Sequence, residues 1–397
     1  MDLNYSDEQL LLKESAERFL KDRYDFEKRA KILASETGFD AAIWAEMADL
    51  GWLALPFSEE NGGLGGGAVE VSLIMEAIGR ALVVEPYLAS VLLAGGLIEK
   101  LGSEEQKADI LGGLIAGTSR PALAHAEWQT GFDLGNIAAT ATKNGENYVI
   151  SGKKPLVLGG PFADGFIVSA RLGGDAATGP DGAIRLFAVP ANAVGLEKSE
   201  VKLVDGSRAS DLVFTNVSVP ASALLDADAD TLGEIEAAYD RANAALASEA
   251  VGIMDALMDA TVAYTKGRVQ FGKPLAAFQA LQHRMAEMAV KCQEARGSAL
   301  LAMLSADAPP AMRVRGVSGA RAKIGKVSRS VAQEAIQLHG AMGFSEEMPI
   351  GAWFRRLYAI ENTFGTTADH LKRYGEIIRD PAVLSGGLLR EPVHQPA

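Results

Sequence analysis

Gly63-Leu64-Gly65-Gly66-Gly67-Ala68 is the string that most invites a chemical reading, because a G-x-G-x-x-G/A turn lets backbone amides approach a dinucleotide diphosphate. That fingerprint needs a βαβ unit with a second parallel strand. Residues 69 to 118 carry only helical spacing, so the string reads as a flexible connection. GxSxG, Walker A and HExxH strings are absent, which leaves serine-hydrolase, P-loop and zincin chemistry without support. Five histidines, no two at i, i+4, and a single cysteine offer no metal cluster. Cys292 reads as a small buried apolar residue on a helix.

Composition narrows the field further. The chain has 397 residues, 48% of them hydrophobic, and 51 acidic against 38 basic side chains give a formal net charge of −13. A phosphate backbone repels such a chain unless its basic residues gather on one face. Arg390 and His394 are the only basic side chains of the last 18 residues, too few for a nucleic-acid-binding extension. One cysteine makes no internal disulfide, which fits a reducing compartment. MDLNYSDEQ lacks a basic region followed by an apolar run. The most apolar stretch, Ala81 to Ile98, is interrupted by Glu85 and Pro86, short of the roughly 20 apolar residues a membrane span needs. A soluble cytoplasmic protein is the expectation.

The elements available to position a site come in three blocks, an α+β arrangement. An N-terminal all-α domain is expected over 1–119. Ser6-Asp7-Glu8-Gln9 suits a helix start, Val69 to Leu82 and Leu88 to Leu101 have helical spacing, and Ser103 is a plausible N-cap. Over 120–229 short β-branched runs such as Tyr148-Val149-Ile150 and Phe166-Ile167-Val168 alternate with turn residues, which predicts an antiparallel β-domain. Over 230–385 long helical periodicity returns. Val317, Ile324, Val331 and Leu338 recur every seven residues, with Arg315, Arg321, Lys323, Lys326 and Arg329 on other faces, as in a four-helix bundle. Residues 386–397 read as a tail.

Five strings stand in this frame: GWLALPFSEENGGLG (51–65), LGSEEQK (101–107), VISGKKPLVLGG (149–160), RVQFGKPLAAFQ (268–279) and QLHGAMGF (337–344). In this order and at these intervals the chain resembles the acyl-CoA dehydrogenase family of flavoproteins along nearly its whole length. It is most similar to the small, non-catalytic subunits of heteromeric members. The resemblance implies FAD as cofactor and α,β-dehydrogenation of an acyl thioester, a carboxylate removing the α-proton while the β-hydride passes to the flavin. It also implies that Arg268, Gln270 and Phe271, then Phe278 and Gln279, and finally Gln337, Gly340 and Ala341, contact the diphosphate and adenine end of a neighbouring subunit's FAD. Arginine there is a fixed planar cation for phosphate, and small residues let the backbone approach. Ala341 stands where the family has a second glycine.

The flavin-ring strings depart from the family. Ala126-Glu127-Trp128-Gln129-Thr130-Gly131-Phe132-Asp133 loses a threonine and a serine hydroxyl, and Leu156-Val157-Leu158 loses an indole and another hydroxyl. An ungapped alignment from Gln337 to Thr366 puts Phe364 where most members carry the catalytic glutamate. Ala242, followed by Asn243 in place of an arginine, holds the alternative base position. Glu249 lies roughly 10 Å along the helix from Ala242, and Asp240 is turned about 200° away. Glu361, near Phe364, is the remaining candidate base. The resemblance therefore implies no catalytic residue in this chain and a subunit that donates FAD contacts to a catalytic paralogue in an α2β2 heterotetramer. The enzyme would act on a bulky or dicarboxylic acyl-CoA in lipid or steroid degradation and pass electrons to an electron-transfer flavoprotein or to oxygen. Two alternatives stay open: an active homotetramer using Glu361, and a flavin-free scaffold subunit.

Overall fold

The computed structural model describes residues 5–173, 182–225 and 229–379. The expected tail at 386–397 lies outside them. Helices α1 (Asp7–Arg23), α2 (Phe26–Ala34), α3 (Ala41–Asp49) and α4 (Ala68–Ala81) open the chain. Ser6 and Gln9 form a reciprocal cap at the start of α1, Gln9 N to Ser6 Oγ at 3.2 Å and Ser6 N to Gln9 Oε1 at 3.0 Å. Asp25 and Asp40 accept from Lys28 N and Ala42 N at the next two starts.

The glycine run before α4 is not the flexible connection expected. Leu64, Gly65 and Gly66 donate to the carbonyls of Ala54, Phe57 and Leu55 at 2.8–3.0 Å. A Cβ on Gly63 would stand 2.1 Å from Phe57 O. These glycines let the chain approach itself. Beyond Pro86, Tyr87–Gly95 is π-helical and runs into α5 (Gly96–Leu101); a Ser103/Gln106 capping box starts α6 (Glu104–Gln106), and α7 (Gly112–Ile115) follows.

The sheet comprises β1 (Pro121–Ala124), β2 (Thr140–Asn144), β3 (Asn147–Leu158), β4 (Gly165–Leu172), β5 (Ile184–Pro190), β6 (Leu196–Lys202), β7 (Arg208–Pro220) and β8 (Leu224–Leu225). Its order is β6-β7-β3-β2-β4-β5-β8, with β1 beside β4. The antiparallel β-domain expected from the sequence is present, and its sheet also contains parallel pairs. Most pairs are antiparallel, but β1 and the start of β2 both run parallel to β4. Parallel pairing depends on a long excursion, here residues 125–164 between β1 and β4, whose return path no local pattern displays. Ile150, Phe166, Val168, Phe187, Leu212 and Val217 fill the core of this domain.

The C-terminal helices are α8 (Thr231–Gly267), α9 (Gln279–Ser305), α10 (Pro310–His339), α11 (Ile350–Asn362) and α12 (Thr367–Arg379), with a hairpin of β9 (Val269–Gln270) and β10 (Lys273–Pro274) between α8 and α9. The seven-residue stripe Val317, Ile324, Val331, Leu338 is buried throughout, and α10 packs against α9, α11 and α12. Two compact units emerge, one from the described parts of Met1–Glu17, Ser72–Leu82 and Asn243–Ala397, the other from Arg18–Val71 and Val83–Ala242. Within the first, Gly79 and Gly252 let α4 and α8 cross with backbones touching. A Cβ on Gly252 would meet Glu76 O at 2.0 Å, and one on Gly79 would meet Glu249 O at 2.2 Å. Among the described residues no helix is long and apolar enough to cross a membrane.

Candidate functional site

Tyr264, near the end of α8, stacks on His339, near the end of α10, at 4.5 Å between ring centroids. His339 Nδ1 lies 2.8 Å from Ala335 O, which fixes the imidazole on its own helix. This contact joins the two helix ends that bear the sequence-predicted FAD contacts. Arg268 follows Tyr264 by one turn, its amide donating to Tyr264 O at 2.8 Å. The hairpin then turns through Phe271 and Gly272, at φ 54° and 79°, as a two-residue hairpin turn with both φ positive requires. Phe271 is 91% exposed at the tip and meets Phe278 edge-on, while Lys273 Nζ stands 4.2 Å from the centre of the Phe278 ring.

Gln270 and Gln279 are exposed on the hairpin and at the first turn of α9, and Gln337 is exposed in the last turn of α10. Gly340 has φ 58° and open space where a Cβ would lie, and Ala341 is exposed beside it. Among the described residues the Arg268 guanidinium has no recorded partner. An exposed cation, a bare glycine and carboxamides gathered on one end of a helical unit suit an anionic diphosphate. On this side the residues present fit FAD.

The ring strip in the other unit is arranged differently. Glu127 is buried and accepts from Ala138 N at 2.8 Å, Ala139 N at 3.0 Å and Lys154 Nζ at 2.8 Å. Lys154, wholly buried, also donates to His125 O at 2.9 Å and Ser169 Oγ at 3.0 Å. Burial pushes the Glu127 carboxyl up, but the Lys154 ammonium and these donors outweigh it and hold it below the usual range. Burial pulls Lys154 down to about 8 against the pull of Glu127. The same burial, with the Lys154 charge, takes His125 to about 3, so that ring is neutral.

The Thr130 hydroxyl is spent inside the turn, accepting from Glu127 N at 3.0 Å and donating to Asn136 O at 2.8 Å. Leu156 sits at a bulge in β3 with φ 51°, its amide donating to Asp211 Oδ1 at 2.8 Å and its side chain 44% exposed. No side chain of Leu156-Val157-Leu158 carries a hydroxyl, and the turn's own hydroxyl is engaged. This strip does not fit the polar edge of a flavin ring.

Ala242 and Phe364 are the residues the resemblance aligns with the family's two base positions. Ala242 is fully buried in α8, and Phe364 lies between α11 and α12. Glu361 is not on that loop but in the last turn of α11, 7% exposed, and accepts from Arg329 Nε and Nη2 at 3.1 and 2.6 Å and from Thr367 Oγ1 at 3.1 Å. Glu249, also buried, is held by Arg356 at 2.5 and 2.9 Å. Asp240 is 1% exposed.

Lys154 and Arg321 are among the buried cations that escaped the sequence reading. Lys154 could have been found from alternation, since adjacent lysines 153 and 154 on a strand cannot both face water. Arg321, placed by its spacing on a face of α10 other than the apolar stripe, is 2% exposed. Its spacing to Val317 and Ile324, four and three residues away, places it beside the buried stripe.

Comparisons with known proteins follow the three blocks. Residues 6–118, 122–217 and 235–378 match the N-terminal, middle and C-terminal domains described as acyl-CoA dehydrogenase. An acyl-CoA dehydrogenase of Bacillus subtilis (strain 168) is 30% identical over 359 residues, 88% of this chain and 92% of its own. The structure of butyryl-CoA dehydrogenase from Megasphaera elsdenii is similar with a TM-score of 0.86 and 28% identity, over 98% of this chain and 100% of that one. A variant of the Tcur3481-Tcur3483 steroid ACAD has a TM-score of 0.83 and 27% identity, over 95% and 99%.

Proposed function

Because the chain belongs to the acyl-CoA dehydrogenase family, FAD-dependent oxidoreductases acting on CH–CH donors, we propose that it is the non-catalytic subunit of a heteromeric member. Its partner is a catalytic paralogue. The carrying observation is a division of labour among its residues. Arg268, Gln337 and Gly340 face outward and fit a diphosphate, whereas Phe364 and Ala242 hold the base positions and the nearby acids Glu361 and Glu249 are closed in ion pairs.

FAD, when bound, supplies the hydride acceptor for the β-carbon of the acyl thioester. In this reading Arg268 pairs with diphosphate oxygens of the partner's FAD, Gln337 hydrogen-bonds beside it, and Gly340 and Ala341 admit the close approach. The exposed hairpin with Phe271 and Gln270, and Phe278 with Gln279 behind it, covers the nucleotide end. The paralogue supplies the carboxylate that takes the α-proton. A bulky or dicarboxylic acyl-CoA is the substrate class, with an electron-transfer flavoprotein as acceptor. The similar steroid ACAD, a Tcur3481-Tcur3483 pair, supports a two-chain assembly.

The test is the visible spectrum of the purified chain, alone and with its paralogue. We expect flavin absorbance only in the complex. One FAD per chain and acyl-CoA turnover by the isolated protein would overturn the reading.

A further inference from the structure

The buried Arg321 guanidinium on α10 commits two of its three nitrogens to the chain around it. Nε donates to Asn243 Oδ1 at 2.9 Å, and Nη2 donates to Ile360 O at 2.6 Å and Thr363 O at 2.9 Å. Nη1 is buried and has no hydrogen-bond partner among the described residues. Burial lowers the group to about 10, which leaves it charged at neutral pH. A buried charged donor without an acceptor is strongly unfavourable.

A second such atom closes on the same turn. His370, in the first turn of α12 and 4% exposed, has Nε2 buried without a partner among the described residues, and a Cβ on Gly365 would come 2.8 Å from that nitrogen. Arg321 thus holds Thr363 while His370 stands against Gly365, two residues on. Ser318, one turn before Arg321 on α10, assigns the tautomer. Its Oγ accepts from Arg373 Nη1 at 3.4 Å, so its own proton is directed to His370 Nδ1 at 3.5 Å, and the ring proton stays on Nε2. Burial and the charges of Arg321 and Arg373 hold the ring neutral, at about 3. Both unpartnered atoms are therefore donors.

Among the described residues no carboxylate touches either of them. Glu249 and Glu361, the acids whose charges reach Arg321, are bound by Arg356 and Arg329. Asp369, beside His370 in sequence, accepts from Thr366 N at 3.1 Å at the start of α12. Arg373 adds a second positive charge. Two N–H donors without an acceptor, beside two guanidinium groups, suit an anion. A water would satisfy the donors and leave the charge unbalanced.

We propose that Arg321 Nη1 and His370 Nε2 form a buried site for one small monovalent anion of chloride size, between α10 and α12. The anion completes the hydrogen bonding of the guanidinium, offsets its charge and ties α12 to α10 through the Thr363–Thr366 turn. No substrate, flavin or paralogue enters the site, so it stands or falls independently of the function proposed above.

The full chain is to be unfolded thermally in sodium chloride, bromide and gluconate at equal ionic strength, and crystals grown in bromide measured at the bromine absorption edge. We expect a midpoint higher by about 2 °C or more in either halide than in gluconate, and an anomalous peak within hydrogen-bond reach of both nitrogens. His370→Phe, which removes the Nε2 donor, and Arg321→Met should each abolish the halide increment and the peak. His370→Gln, whose carboxamide can donate, should keep part of both. Equal midpoints in halide and gluconate overturn the proposal, as does a position that holds only water and gives no peak. A halide increment undiminished in folded His370→Phe puts the anion elsewhere and overturns it too. If Arg321→Met does not fold, His370→Phe decides alone.

Discussion

Arg329 donates to Glu361 through Nε and Nη2 at 3.1 and 2.6 Å, and Glu361, the acid nearest in sequence to Phe364, is buried. A carboxylate so engaged serves the packing of α10 on α11. Glu361→Gln should lower stability by only about 1–2 kcal/mol, because the Arg329 side chain is 55% exposed and partly screened. Urea unfolding checks the first part. Turnover of the assembled complex checks the second and should stay near wild type; its abolition with flavin still bound would make Glu361 the base of an active homotetramer.

Arg268 and Gln337 are exposed and contribute little to the fold. Arg268→Ala should leave the melting temperature unchanged while weakening flavin retention in the complex by about tenfold or more, as loss of a charge-assisted phosphate contact does. Flavin released on dilution and gel filtration measures it. Silence of both this variant and Gln337→Ala would favour a flavin-free scaffold.

The Lys154–Glu127 pair predicts a stability effect with a defined sign. Glu127 has a folded pKa below its unfolded value of about 4.3, so the folded state binds fewer protons and the stabilisation is present above that value. It is lost as pH falls through the folded pKa. Glu127→Gln should flatten this acid limb of the unfolding curve. Lys154→Met, which leaves the carboxylate buried and unpaired, should cost about 3 kcal/mol or more at neutral pH, measured by denaturant titration.

Gly252 sits 2.0 Å, at its ideal Cβ, from Glu76 O. Gly252→Ala cannot be absorbed by a side-chain rotation and must push α4 from α8, a loss of about 1–3 kcal/mol. Thermal unfolding should show it, whereas Gly297→Ala, with open space at its Cβ on α9, should be neutral or slightly stabilising.

Much of this protein is written in local pattern. Heptad spacing at Val317, Ile324, Val331 and Leu338 dictates a buried helix face, Ser103 with Gln106 dictates a helix start, and the residue types at 268, 337, 242 and 364 fix one cation, one carboxamide and two side chains that take up no proton. Tertiary structure alone decided the rest, because those features arise between residues distant in sequence. The parallel approach of β1 to β4 depends on how residues 125–164 return, and the glycines at 63–66 became a self-contact only once Phe57 lay beneath them. Glu361 looked available until the fold brought Arg329, 32 residues earlier in the chain, against it, and Arg321, off the apolar stripe in sequence, is enclosed by contacts from α8 and α11. Side-chain type sets what a residue can do chemically; whether its charge is free, paired or used to hold a backbone turn is set by the neighbours that folding supplies.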